Sequence, residues 1–290
     1  LHFGVTASVA DDKTEVTKWT YNTKIPSYGA TGWWDKSAYK EGMVLGDIWG
    51  LQFDRFLTED DFNADGSLKA GLPDQTKVFP AGYQFAPGDV LYKDLDNNGE
   101  IVKQTNTNDK GDLSVIGNAL PRLQFGLNLD AAWKGFDISM FFQGVAKRKL
   151  WAAGNQVLPG FTTGEPFYKG AEDYWTPENT DAFYPRPMDY KQSASGNYSV
   201  NDRYLLNMAY LRLKTFTVGY SLPKVWLSKF KVQGLRVYFT GENLFTIDGV
   251  KPAIDPEIGI RTASGKSDQR NFGRSYPYQK TVSFGIQLSL

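Results

Sequence analysis

The chain has 290 residues, 32 basic and 32 acidic side chains, and no cysteine. This charge balance gives no sign of a nucleic-acid surface, and the lack of thiols excludes disulfides and thiolate metal sites. Aromatic residues make up 15% of the chain, with 29 glycines, which favours β structure. No apolar run approaches the roughly 18 residues that a membrane helix needs, so strands are the only predicted membrane-crossing elements.

Alternation of apolar and polar side chains predicts about seven long strands. The clearest pair is 122–133 and 136–146, joined by a two-residue hairpin turn at Lys134 and Gly135. The remaining strands are predicted at 1–10, 15–23, 209–222, 235–245 and 280–290, with a bulge near Thr215. Their length and the aromatic residues near their ends favour an all-β fold, an antiparallel transmembrane β-barrel with long extracellular loops.

Shorter elements lie between these strands. The segment 45–57 is strand-like and is expected to pair with 89–93 above the membrane. Pro223 can begin a short helix in which Trp226 and Phe230 are spaced to touch the membrane interface. A turn that packs only on its own barrel is an equal alternative.

Barrels of this kind have short periplasmic turns and long outside loops, which places 24–121, 147–208 and 246–279 outside. Seven alternating crossings then put the C-terminus in the periplasm and Leu1 at the extracellular side. An odd number of strands cannot close such a barrel, so further strands are expected from a longer protein. The chain break is expected in an extracellular loop.

Several motifs carry a family resemblance. They occur in one order along most of the chain, at 88–99 (GDVLYKDLDNNG), 141–144 (FFQG), 175–179 (WTPEN), 184–186 (YPR), 219–223 (GYSLP) and 241–245 (GENLF). With them the chain resembles the C-terminal third of the SusC/RagA family of TonB-dependent transporters of Bacteroidetes. It departs from outer-membrane proteins in general at Leu290, where a terminal aromatic residue is typical.

The resemblance implies that 1–290 is the C-terminal part of a roughly 22-stranded barrel, whose plug and N-terminal strands lie outside this chain. It implies import of oligosaccharides or peptides across the outer membrane, with a SusD-like lipoprotein as a lid and TonB acting through the missing N-terminal part. The alternative is a surface β-sandwich that binds glycans without transport.

Since His2 is the only histidine, a Ser-His-Asp site is nearly excluded and no enzyme is expected.

One loop has the spacing of a calcium site. Asp94, Asp96 and Asn98 supply oxygen ligands at the first three positions, followed by Gly99 for the turn. Thr105 at the twelfth position cannot replace a bidentate Glu, although Asp109 or Asp112 could return as a ligand. A solvated turn is the alternative, and it is favoured more strongly for Asp61-x-Asn63-x-Asp65, where position twelve is Leu72.

The long loops are rich in aromatic residues, at Trp151, Phe161, Phe167, Tyr168, Tyr174, Trp175, Phe183 and Tyr184. Aromatic rings suit both sugar faces and protein interfaces, so Trp151, Tyr174, Trp175 and Tyr184 are the candidates for substrate or lid contact. Packing inside the loops is the alternative and is expected to claim most of them. Membrane lipid is expected around the barrel. The basic run 147–149 could bind lipopolysaccharide phosphates, and a solvated charge cluster is the alternative.

Overall fold

Long antiparallel strands dominate the part of the chain that the computed structural model describes. That part comprises residues 1–20, 41–103, 110–152, 154–161, 167–188, 196–228, 232–257 and 276–290. Its strands are β1 (His2–Ala10), β2 (Asp47–Gly50), β3 (Phe53–Phe56), β4 (Val90–Tyr92), β5 (Ser114–Asn118), β6 (Arg122–Trp133), β7 (Phe136–Lys147), β8 (Lys149–Leu150), β9 (Leu206–Asn207), β10 (Tyr210–Ser221), β11 (Gly234–Glu242), β12 (Thr246–Asp248) and β13 (Thr281–Ser289).

Helical structure is sparse. Over the described residues it consists of two 3-10 turns, Glu59–Asp61 and Lys169–Ala171, and one short helix, α1, at Lys224–Leu227. Among the described residues, no helix has the length and apolar character needed to cross a membrane. The short helix expected after Pro223 is present as α1. Phe230, which was expected to share the membrane contact, lies outside the described residues.

One sheet, here called the wall sheet, contains all the long strands. Its order is β1-β6-β7-β10-β11-β13, every neighbouring pair is antiparallel, and β12 adds to the start of β10. Six of the seven predicted strands are thus confirmed. The all-β antiparallel fold predicted from the alternation is confirmed with them.

The register of the wall sheet separates apolar from polar residues. Val5, Leu129, Met140 and Phe216 lie side by side on β1, β6, β7 and β10. The adjacent row on the opposite face consists of Gly4, Asp130, Ser139, Thr217, Thr240 and Ser283. Because side chains alternate between faces along a strand, the wall sheet has one apolar and one polar face.

The apolar face is uncovered. Phe3, Phe284 and Ile286 are 67%, 82% and 73% exposed, and in the described residues no second sheet packs against them. A sandwich buries its apolar strand face against a second sheet about 10 Å away. The β-sandwich alternative is therefore wrong for the described part of the chain.

Two local predictions within the wall sheet are confirmed. Lys134 and Gly135 have φ angles of 48° and 91°, the left-handed conformations that a type I′ hairpin turn requires. The pairing of β10 with β7 shifts between Leu213 and Thr215, which is the predicted bulge. We call the end of the wall sheet at Lys134 and Gly135 the turn end, and the opposite end the loop end.

The predicted strand 15–23 is wrong over its described residues. Residues 15–20 contain only an isolated bridge between Glu15 and Val44, and 21–23 lie outside the described part. Instead β1 pairs with β6 over its full length, because its apolar residues match the parity of β6. His2 lies opposite Ala132, at the end of the wall sheet that carries the Lys134–Gly135 turn, so the expectation that Leu1 lies at the opposite end from that turn is wrong.

The segments that leave the loop end fold into a body of their own. This loop body consists of the described residues within 11–121, 148–209 and 243–280, and it holds two hydrophobic cores. One core surrounds Trp151 and Tyr204, and the other surrounds Tyr92 and Trp175. As expected, β3 pairs with β4, while β2 pairs with β5.

Candidate functional site

Three of the four candidate contact aromatics are enclosed in the loop body. Trp151, Trp175 and Tyr184 are 2%, 7% and 3% exposed. The Tyr184 hydroxyl donates to the Val157 carbonyl at 2.9 Å, and burial, helped by the charge of Asp173, raises its pKa to about 12. Core packing thus accounts for the two tryptophans and most of Tyr184, and their rings offer little surface to a ligand.

Tyr174 differs because it is 41% exposed and borders a cavity of about 440 Å³. We call this cavity the aromatic groove. Its lining includes the exposed rings of Phe167, Tyr168 and Tyr174, the largely buried Tyr184, the prolines Pro159, Pro185 and Pro187, and the charged side chains Lys169 and Glu172. A cavity of this size with apolar walls and few polar groups is typical of a small-molecule or peptide site.

The sequence contains Phe167 and Tyr168 among its loop aromatics but gives no signal that separates them from Trp151 or Trp175. The distinction is one of burial, since Phe167 is 62% exposed and Tyr168 is 38% exposed. Burial of a loop residue depends on contacts between distant segments. Local spacing therefore could not select the groove residues.

Backbone pairing holds the two sides of the aromatic groove together. The Trp175 amide donates to the Tyr184 carbonyl at 3.0 Å, and the Tyr184 amide donates to the Asp173 carbonyl at 2.9 Å. Beyond Tyr184, the Arg186 amide donates to the Gly88 carbonyl at 3.0 Å. The segment that carries Pro185 and Pro187 is thereby fixed to the loop that contains the Gly88-Asp89 motif.

Asp89 is the centre of a buried hydrogen-bond network behind the groove. Its side chain is fully buried and accepts from Arg186 Nε at 2.8 Å, the Tyr83 hydroxyl at 2.8 Å, Asn197 Nδ2 at 3.0 Å and the Ala86 amide at 2.9 Å. A buried carboxylate needs this many donors to offset the loss of water. The network therefore makes one rigid support out of three loop segments.

The candidate calcium loop brings three carboxylates together. One oxygen from each of Asp94, Asp96 and Asp112 lies within 4.8 Å of the others. Asp112 is fully buried, and its two oxygens accept from the Leu95 and Val102 amides at 2.8 Å each. Asp94 Oδ1 is buried and has no hydrogen-bond partner, so it is the oxygen in this cluster that a cation would best satisfy.

Of the two possible returning ligands, the structure brings Asp112 to the cluster, while Asp109 and Thr105 lie outside the described residues. Asn98 is less suitably placed, because its oxygen accepts from the Glu100 amide at 2.7 Å and its amide nitrogen donates to Asp96 at 3.1 Å. Partial desolvation raises the pKa of Asp96, and the charge of Asp112 adds to the rise. A divalent cation would relieve this repulsion.

The second loop with calcium-like spacing has a structural role for Asp61. Arg55 donates to both Asp61 oxygens at 2.5 and 2.7 Å, and the Thr58 amide donates at 2.8 Å. The Arg55 hydrogen bond, reinforced by the Thr58 amide, lowers the pKa of Asp61 to about 2. Asp65 accepts from the Ser67 amide at 2.9 Å, which is the turn arrangement favoured for this loop.

The basic run 147–149 is divided by the fold. Arg148 Nε donates to the Ala119 carbonyl at 3.2 Å and Lys149 belongs to β8, whereas Lys147 is exposed at the end of β7. Lys147 is thus the member of the run with the most surface to offer a phosphate group.

A single antiparallel sheet with an uncovered apolar face and a folded loop body at one end is the architecture of a section of an outer-membrane β-barrel. Sequence comparison identifies relatives of the chain. The chain is 29% identical over 258 residues to TonB-dependent receptor P3 of Formosa agariphila, and 32% identical over 200 residues to TonB-dependent receptor P26 of that organism. It is 25% identical over 242 residues to TonB-dependent receptor SusC of Bacteroides thetaiotaomicron. The chain is homologous to TonB-dependent receptors.

These matches cover 86%, 67% and 80% of this chain but only 22%, 19% and 22% of the respective relatives. The chain therefore spans about a fifth of the length of the curated relatives that it matches. No protein-family model matches it. Among solved structures, that of the RagAB peptide transporter aligns with 99% of this chain and 27% of its own chain, with a TM-score of 0.61 and 19% identity. That likeness shows a shared fold.

Proposed function

We propose that the chain is the C-terminal part of a TonB-dependent outer-membrane importer, in which it supplies wall strands, rim and loops. The plug, the N-terminal strands and the TonB-contacting segment would belong to the remainder of the protein. Homology to receptors named as TonB-dependent supports this proposal, and we assign no catalytic role to the chain. Its strands would cross the membrane with the loop end outside and the turn end in the periplasm.

The observation that carries the proposal is the uncovered apolar face of the wall sheet. Six strands present rows of Val, Leu, Ile and Phe outward, and several of these side chains are more than half exposed. Exposed apolar area of this extent is unfavourable in water, by roughly 25 cal/mol per Å². Hydrocarbon removes that cost, while the polar face lines the interior of the barrel.

A matched pair of lysine substitutions on β13 tests the membrane placement in the full-length protein. Phe284→Lys places a charge on the apolar face and should cost about 2–4 kcal/mol, seen as lost insertion into outer-membrane vesicles. Ser283→Lys, one residue earlier on the polar face, should insert normally. Equal tolerance of both substitutions would contradict a lipid-facing wall.

For the loop body we propose that the aromatic groove contacts the imported solute, an oligosaccharide or peptide, or the SusD-like lid that closes over it. Of the four candidate contact aromatics, Tyr174 combines ring exposure with a place in the groove wall, and Tyr184 also lines the groove. Trp151 and Trp175 support the groove from within the hydrophobic cores. At the rim, Lys147 is the proposed contact for lipopolysaccharide phosphate.

Calcium is proposed for the Asp94, Asp96 and Asp112 cluster, where the buried unpartnered oxygen of Asp94 supports a cation. Calcium should raise the midpoint of thermal unfolding of the full-length protein, and Asp94→Asn with Asp96→Asn should abolish that shift. Asp65→Asn is a matched control from the loop of equal spacing and should keep it. A wild-type protein that shows no calcium-dependent shift would remove the metal from the proposal.

A further inference from the structure

We propose that residues 249–257 form a strap that couples the aromatic groove to the polar face of the wall sheet, and that Arg212 and Lys214 position this strap. We call these two cations on β10, together with the strap carboxylates Asp255 and Glu257, the latch. The inference rests on the proposed function, because the polar face lines a transport path only if the wall sheet lies in a membrane. The strap would then hold the groove in a fixed place over that path.

The latch is a buried ionic network. Arg212 binds both strap carboxylates, with Nη2 donating to Asp255 at 2.7 Å and Nη1 donating to Glu257. The second oxygen of Asp255 accepts from the Tyr278 amide at 3.0 Å. A planar guanidinium can reach two carboxylates at once, which an ammonium group does not do in the same geometry. Since removal of any of these charges leaves its partners buried and unpaired, the strap is held strongly in one position.

The bulge of β10 supplies the second cation. The pairing with β7 shifts between Leu213 and Thr215, which leaves Lys214 as the extra residue. Lys214 Nζ lies 3.1 Å from each of the two oxygens of Glu257. Bulges occur where a strand must re-aim a side chain. The bulge therefore places a second positive charge beside Arg212, and the latch as a whole is electrically neutral.

The latch lies on the polar face of the wall sheet, at the loop end. Arg212 pairs with Gln143 on β7, which has the same parity as Ser139 of the polar row. The hydroxyl of Tyr210, also on β10, donates to Glu257 at 3.1 Å. The strap thus covers the first residues of β10 on the side that lines the interior of the proposed barrel.

The remainder of the strap packs against the loop body. Val250 belongs to one of its hydrophobic cores, and Ile254 packs against the same core. Pro252 contacts Gly170 so closely that a Cβ built on this glycine would lie 3.3 Å from the Pro252 Cβ. Gly170 is the middle residue of the 3-10 turn Lys169–Ala171, whose two end residues line the aromatic groove. The strap therefore connects a wall of the groove directly to the latch.

Hydrogen exchange of the full-length protein in detergent micelles tests this coupling. Glu257→Gln keeps the shape of the side chain and removes its charge. We expect roughly tenfold faster exchange in the strap and in residues 167–173, with no change in residues 83–89 of the loop body. The matched control is Glu242→Gln, at an exposed carboxylate on the end of β11, and it should leave all three segments unchanged.

A second substitution separates the latch from a general loss of stability. Lys214→Gln should have a smaller effect than Glu257→Gln, because Arg212 still binds both carboxylates. The double variant should exchange no faster than Glu257→Gln alone, since both substitutions remove the same contact. Additive effects would overturn the latch. Faster exchange in the strap with an unchanged 167–173 would overturn its coupling to the groove.

The exchange pattern is independent of transport, so it can fail separately from the proposed function. If the pattern is as expected but Phe284→Lys inserts as well as Ser283→Lys, the coupling stands and its place over a transport path is lost. If insertion behaves as expected and the exchange of residues 167–173 does not respond to Glu257→Gln, the membrane wall stands and the strap is wrong.

Discussion

At the scale of single residues, the support of the aromatic groove depends on Asp89. Asp89→Ala removes a fully buried carboxylate, the acceptor that Arg186, Tyr83 and Asn197 share. We expect a loss of about 3 kcal/mol in the stability of the loop body. Hydrogen exchange of residues 83–89 and 184–187 would measure it.

The control for that substitution is Glu178→Ala, an exposed glutamate on the same loop body. It should leave exchange in both segments unchanged. If Asp89→Ala were equally silent, the network would not be the support that its geometry indicates.

A second residue-scale prediction concerns pH. The folded-state pKa of Asp61 is about 2, below the ordinary value of 3.8 for an aspartate, because Arg55 and Thr58 stabilise the carboxylate. The folded state then binds fewer protons, so this stabilisation is complete above about pH 4 and is lost as the pH falls toward about 2.

Carbon-detected NMR of the Asp61 carboxylate would give its pKa directly. The Arg55→Gln variant should move that pKa upward toward the ordinary range, while Lys69→Gln, at an exposed lysine elsewhere on the loop, should not. A pKa near 4 in the unaltered protein would contradict the Arg55 pairing.

At the scale of elements, the hairpin between β6 and β7 depends on Gly135. Its φ of 91° is strained for other residues, and a Cβ there would lie 2.8 Å from the Ser221 carbonyl oxygen. Gly135→Ala should therefore cost about 1–3 kcal/mol. Urea unfolding in lipid vesicles would measure the change.

Gly234→Ala is the matched control, because the nearest atom to a Cβ at that glycine is 3.6 Å away and β11 begins there in extended conformation. It should change stability little. Similar losses at both glycines would show that the turn geometry is not the cause.

The strands of the wall sheet show how far the alternation of apolar and polar residues predicts the fold. Alternation identified the wall strands because β-strand burial has a period of two and the two faces of the sheet meet different surroundings. The segment 15–23 shares a weak form of this alternation, yet the edge of β6 is taken by β1. Either segment, 1–10 or 15–23, could pair with the edge of β6. Which of them does so depends on long-range contacts, which alternation within a segment cannot predict.

The candidate sites were predictable to different degrees. The spacing of Asp94 and Asp96 located the acidic turn, and Asp112 remained one of two returning carboxylates until the backbone path fixed it. The burial of Trp151 and Trp175 depends on segments far apart in sequence. Composition could therefore point to a loop surface rich in rings without selecting Phe167, Tyr168 and Tyr174.

At the scale of the whole molecule, the aromatic groove predicts a specific effect on uptake. Tyr174→Ala removes an exposed ring and, in the importer that we propose, should lower the apparent affinity of the full-length protein for its solute about tenfold. Tyr174→Phe keeps the ring and should retain most of the affinity. The measurement is the solute concentration that gives half-maximal uptake by cells expressing each variant.

A change in maximal uptake at constant half-maximal concentration would instead indicate contact with the lid or with assembly. Unaltered uptake in Tyr174→Ala, with normal protein levels, would remove the groove from the transport path.

The pairing of β1 with β6 has a consequence for the long segment that joins these two strands. The neighbouring strands β1 and β6 are joined by the long segment from Asp11 to Pro121. The Arg122 guanidinium donates to the Asp11 carboxylate at 2.6 Å, which ties the two ends of this segment together. A change in the length of this segment need not disturb β1 or β6, because the two ends of the segment are already held at adjacent positions. An insertion, deletion or replacement within this segment is therefore expected to change the loop body while the register of β1 with β6 is kept.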